Sequence, residues 1–190
     1  MTTRFAVIFS VMLVVGACSV VVWPQDPVKL DTNPPPMAAP RTAVKRSGTA
    51  SAAYEKQRDL TFAVSAPIEL KLPDSGRGWL TAGFTSKGNG VSKPDYIILR
   101  LFTSAKDRAY VDKPEAIIAV DERKVFEGKA TVTDARTNGN EVYTSFEIIV
   151  SVDDFLTFGK AERLAIALGP SGWIIPKTEL SKFDDLRGIF

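Results

Sequence analysis

From Leu60 to Val150 apolar side chains keep returning at every second position, and that period admits a half-buried strand and little else. Leu60-Thr61-Phe62-Ala63-Val64 and Ile68-Glu69-Leu70-Lys71-Leu72 show it first, with Pro67 and Pro73 as punctuation. Trp79 to Phe84 reads as a third strand between glycine-rich turns. Tyr96 to Phe102 reads as a fourth, with Ile97, Leu99 and Leu101 on its core face and Tyr96, Ile98, Arg100 and Phe102 on the other. Ala116 to Val120 is almost wholly apolar, as a central strand would be. Asp121-Glu122-Arg123-Lys124 then turns the chain into Val125-Phe126 and Lys129 to Thr133. Asn138-Gly139 is the strongest hairpin signal, because a two-residue primed turn needs positive φ. It joins the Lys129 strand to a long alternating strand, Glu141 to Val150.

The closing segment changes period. Ser151-Val152-Asp153-Asp154 has the spacing of a capped helix start ahead of Phe155-Leu156-Thr157-Phe158, with Gly159 as a stop. Arg163 to Leu168 is a strand, and Gly169-Pro170-Ser171-Gly172 turns it into Trp173-Ile174-Ile175. Pro176 opens a last helix, on which Leu180, Phe183 and Leu186 make one apolar stripe that ends near Gly188. This ending resembles the layout of uncharacterised bacterial envelope domains. The pattern predicts a mainly β (α+β) domain over 58–190: an antiparallel β-sandwich or curved sheet with one or two short C-terminal helices.

The first 57 residues read differently. Phe5 to Trp23 is an apolar run without charge, preceded by Arg4. Six of the 12 prolines follow between Pro24 and Pro40, and Asn33-Pro34-Pro35-Pro36 can enter neither a helix nor an interior strand. Arg41 to Ala53 is small, polar and basic. The reading is an N-terminal apolar helix over 1–23, serving as signal peptide or membrane anchor, and a disordered tether over 24–57. The only cysteine, Cys18, lies inside the apolar run, and Val15-Gly16-Ala17-Cys18 resembles the lipobox of bacterial lipoproteins. The resemblance implies cleavage before Cys18 and lipid attachment to it. Two alternatives stand beside it. An uncleaved span is one, since 19 residues of helix reach about 28 Å, and Val20-Val21-Val22-Trp23 stays apolar after the cysteine. Cleavage after Ala17 with free secretion is the other. Each places the domain outside the cytoplasm.

Composition narrows the chemistry. There is no histidine, and no second thiol to join Cys18, so imidazole-dependent nucleophiles and the His and Cys ligand sets of zinc, copper and non-haem iron are absent. The net charge of +2 arises from scattered basic residues and does not suggest nucleic acid. No cofactor and no metal is expected.

Candidate chemical groups each have a plainer reading. Asp153 and Asp154 are adjacent acids, but they stand where carboxylates cap a helix N-terminus. Asp184-Asp185 is placed on the solvent side of the last helix. Asp74-Ser75-Gly76-Arg77-Gly78 and Ser86-Lys87-Gly88-Asn89-Gly90 are glycine loops without a following helix, which suits hairpin turns better than phosphate cradles. Trp79, Trp173, Tyr96 and Tyr143 suit core or cross-strand pairs better than a carbohydrate or peptide surface. The expectation is therefore no catalytic residue and no enzyme. The chain reads as a membrane-anchored envelope protein, with lipid at its N-terminus and a protein partner for its β-domain, bound by strand addition at a sheet edge. A carboxylate-based cell-wall hydrolase and a small-ligand carrier are the alternatives.

Overall fold

The computed structural model describes residues 41–72, 76–106, 114–169 and 171–190. The apolar run, Cys18 and the prolines from Pro24 to Pro40 lie outside them. Within them the chain is mainly β, with two antiparallel sheets and two short helices.

The larger sheet has eight strands. Its path runs β1 (Arg41–Ser47), β2 (Ala50–Glu55), β3 (Leu60–Val64), β5 (Arg77–Lys87), β6 (Tyr96–Ala105), β10 (Glu141–Ser151) and β9 (Thr131–Asn138), and β4 (Ile68–Lys71) pairs with the first part of β5. The smaller sheet has the order β12 (Ser171–Pro176), β11 (Arg163–Leu168), β7 (Glu115–Val120) and β8 (Arg123–Lys129). The chain passes from one sheet to the other at Ala130, a single buried residue between β8 and β9, whose N–H donates to the Pro114 carbonyl.

Alternation sets which face is buried. On β6, Ile97, Leu99 and Leu101 are fully buried and their odd-even neighbours face water, as the period requires. Leu80, Ala82 and Phe84 do the same on β5, and Phe146, Ile148 and Val150 on β10. Both sheets turn their buried faces into one apolar cluster, together with α1 (Val152–Phe158) and α2 (Lys177–Arg187). Phe155, Phe158 and Phe183 meet edge-on or tilted, with centroids 5.6–6.1 Å apart, and join the two helices. Phe190 packs edge-on against Phe84 at 5.3 Å.

The helix ends agree with the sequence reading. The Ser151 side chain accepts from the Asp154 N–H at 3.0 Å and caps α1. Pro176 is the residue just before α2, and Leu180, Phe183 and Leu186 are its buried stripe. The β9–β10 hairpin is also present, but Asn138 pairs with Glu141, so the two turn residues are Gly139 and Asn140. Gly139 has φ +61°, the left-handed value that glycine adopts without strain.

The tether expectation is corrected at its C-terminal part. Residues 41–55 are the two outermost strands of the larger sheet rather than disordered linker. Ala50 and Ala52 are almost fully buried, and α2 lies against this strand. Small side chains, which suggested linker, here allow a helix to approach the sheet closely. The hairpin turn is tied down as well. Asp185 accepts from both the N–H and the hydroxyl of Thr49 at 2.7 Å, and Lys45 Nζ donates to the Ile189 carbonyl at 2.8 Å. Gly48 sits at φ +51° with the Asp185 carboxylate where a Cβ would stand, so geometry and space both demand glycine there.

Candidate functional site, a guanidinium-lined groove

The solvent face of the larger sheet can be read row by row from the strand registers. Trp79 lies beside Phe102 and Phe102 beside Ser145. Thr81 lies beside Arg100 and Arg100 beside Glu147. Gly83 lies beside Ile98 and Ile98 beside Ile149. Tyr96, Phe102, Tyr143 and Ile149 are 40–60% exposed, so this face presents large apolar surface to solvent.

One end of this face is concave. A groove of about 330 Å³ opens over β2, β3, β5 and β6, with Phe62, Val64 and Ile98 as apolar lining and Arg41, Arg58 and Arg100 around it. Gly83 leaves part of the floor bare, because its backbone runs so close to the Ala63 carbonyl that a Cβ would stand 2.7 Å from it. The lining lies on the outer face of the sheet, not between the two sheets.

Each guanidinium is positioned by a carboxylate. Glu55, at the end of β2, is buried to 3% exposure, and Arg41 and Arg58 approach it at 3.1 and 3.2 Å through their Nε atoms. Arg41 also stacks over the Phe62 ring, 4.5 Å from its centroid. Across the groove, Arg100 Nε donates to Glu147 Oε1 at 2.7 Å. The terminal nitrogens of Arg41 and Arg100 donate no hydrogen bond among the described residues. The carboxylates thus fix the fork of each arginine while leaving its outer donors toward solvent.

No protein-family model, curated protein or solved structure matches the chain. Its own side chains therefore carry the functional argument.

The sequence candidates are distributed as follows. Asp154 and Asp153 both stand in the first turn of α1, where the Asp154 carboxylate accepts from the capping Ser151 hydroxyl at 2.7 Å and pairs with Arg123 at 3.2 Å, and Asp153 is exposed. Asp185, expected to face solvent, is half-buried in its contact with Thr49, which holds its carboxyl below the usual carboxylate range. Glu141 is also held low, chiefly by hydrogen bonds from Ser104 and Tyr143. Both shifts run opposite to the raised pKa that a carboxylic general acid requires. Asp74 and Ser75 lie outside the described residues. The Ser86–Gly90 loop is closed on itself: Ser86 Oγ accepts from the Ser92 N–H, and the Gly88 carbonyl accepts from Thr61 Oγ1. Trp79, Tyr96 and Tyr143 share the solvent face of the larger sheet. Trp173 instead packs on the core, and its indole N–H donates to the Lys71 carbonyl at 2.8 Å.

Among the described residues no group of three or more His, Cys, Asp or Glu is placed to hold a metal ion, and no helix is long and apolar enough to cross a membrane. The convergence of the groove arginines is not legible in the sequence because they come from β1, from the turn after β2 and from β6. The one local hint was Arg100, a charge at an exposed position of a strong strand.

Proposed function

We propose that this chain is a membrane-anchored envelope protein, held by lipid on Cys18, whose β-rich domain binds another protein and supports an assembly. On this reading the domain is a binding module and not an enzyme. The observation that carries it is the outer face of the larger sheet, where Tyr96, Phe102, Tyr143 and Ile149 stand exposed beside the arginine groove. Aromatic residues and arginine are the side chains that dominate protein interfaces, and a contiguous exposed patch of them marks a contact surface. The same reading takes the two sheets as halves of a strongly curved sandwich, supported by the apolar cluster they share.

Two measurements test it. Intact-mass spectrometry of membrane-extracted protein should give the mass of a chain cleaved before Cys18 and acylated; a full-length mass would replace the lipid anchor with a spanning helix. A photo-crosslinking amino acid at position 149 should trap a discrete partner in intact cells, whereas the same group at Lys160, exposed beyond the end of α1, should not. Equal, diffuse labelling from both positions would refute the docking face.

A further inference from the structure

We infer that the guanidinium-lined groove binds an extended acidic segment of the partner protein, with carboxylate side chains on the arginines and an apolar residue over Phe62, Val64 and Ile98. The inference rests on the protein-binding reading above and names the chemistry of what is bound.

Charge complementarity comes first. Three guanidiniums surround the groove, and the two carboxylates that hold them are set back from its lining. Glu55 is buried beneath Arg41 and Arg58, so what reaches the ligand there is positive. Guanidinium forks whose Nε is already satisfied keep their paired terminal donors for a planar carboxylate.

Spacing then selects an extended ligand over a single small anion. Arg41 lies in the backbone row of Lys87, and Arg100 in the row of Thr81. Their backbones are four strand spacings and six residues apart, roughly 25 Å over the sheet surface. One phosphate cannot engage both ends of the groove. An extended peptide of about seven residues can, since it reaches about 20 Å at about 3.3 Å per residue and the glutamate and arginine side chains cover the rest. The apolar surface between the two ends, Phe62, Val64 and Ile98, gives a peptide side chain somewhere to bury, which a uniformly polar acidic polysaccharide lacks.

The experiment uses the full-length chain in detergent micelles and a fluorescein-labelled Glu-Ser-Leu-Ser-Leu-Ser-Glu peptide, which in extended form carries both Glu and both Leu on one face, read by anisotropy. Binding is expected at low salt and should weaken severalfold at ~0.5 M salt. The Arg58→Gln/Arg100→Gln variant should lose about tenfold in affinity. Ser51→Asp, which places a carboxylate in the groove without altering a member of any of the three ion pairs, should do the same, so a folding defect in the first variant does not decide the matter. The same peptide with Gln in place of both Glu should not bind. Competition by inorganic phosphate alone would reduce the groove to a simple anion site and overturn the inference. So would stronger competition by polygalacturonate or by monomeric dihexanoyl-phosphatidylglycerol, which would assign it to a glycan or a lipid headgroup. If crosslinking from position 149 persists undiminished in both variants, the partner docks without the groove: the acidic-segment inference fails while the protein-binding reading stands. Loss of crosslinking in the unmodified chain removes the reading itself.

Discussion

Thr103 and Asp185 show how much a single polar atom decides in this domain. Thr103 is buried on β6, and its hydroxyl has no hydrogen-bond partner among the described residues. A buried hydroxyl without a partner loses its hydration for nothing, so Thr103→Val should stabilise the domain by about 1 kcal/mol. A raised denaturation midpoint with an unchanged slope is the expected result. Asp185 works in the other direction. Its contact with Thr49 depresses the folded-state pKa, so its stabilisation is complete above the unfolded value of about 3.9 and is lost as pH falls through the lower folded value. Asp185→Asn should therefore cost about 1 kcal/mol at neutral pH, at the low end because the site is partly exposed. The difference from the parent should shrink as melting is repeated at progressively lower pH. Neither role could be read locally. Asp185 sits beside Asp184, which pairs with Arg187 within the helix, and only the hairpin turn 136 residues away gives Asp185 its partner.

At the level of elements, legibility followed the strength of the period. β4, β6 and β10 have alternation steep enough that each could be placed, with its buried face, from sequence, and β5 and β7 could be placed without a face. On β3 the alternation pointed Leu60, Phe62 and Val64 inward, whereas Thr61 and Ala63 are the buried pair and Phe62 and Val64 line the outer groove, because the small residues are the ones the packed core admits. α1 was equally legible, since a Ser ahead of two acids and an aromatic turn satisfies the free N–H groups locally. Ser151→Ala should cost about 1 kcal/mol, read by equilibrium unfolding, because the Asp154 N–H loses its acceptor. β1 and β2 were not legible. Arg41-Thr42-Ala43-Val44-Lys45-Arg46-Ser47 has no apolar alternation, and its exposed, basic outer edge looks like solvated linker. Its order comes from pairing with β2 and from the contacts of Lys45, Gly48 and Thr49 with the C-terminal segment. Such long-range ties leave no periodic trace.

Over the whole molecule, this hairpin makes residues 41–55 part of the domain. It covers the open edge of β3, supports α2 and supplies Arg41 and Glu55 to the groove. A chain starting at residue 41 should resist limited proteolysis as the full-length protein does. A chain starting at residue 58 exposes the β3 edge and the face of α2 packed on Ala50 and Ala52, and should be degraded readily or aggregate. Equal resistance of the two would return residues 41–57 to the role of tether. The aromatic contacts that join α1 to α2 add a second check on this scale. Phe183→Ala opens a void between both helices and should cost about 3–5 kcal/mol, measured by chemical denaturation.

By itself the sequence determined the β-rich class, most strand positions, the inward faces of β4, β6 and β10, and the capped helix, because alternation and capping act between residues close along the chain. It also determined the absence of imidazole and of a second thiol, since composition needs no fold. The tertiary structure alone decided that residues 41–55 belong to the sheet and that Arg41, Arg58 and Arg100 surround one groove. Those features depend on strand register across the eight-stranded sheet and on a helix docking from the far end of the chain. Physical proximity of that kind is created by folding and is written in no local pattern.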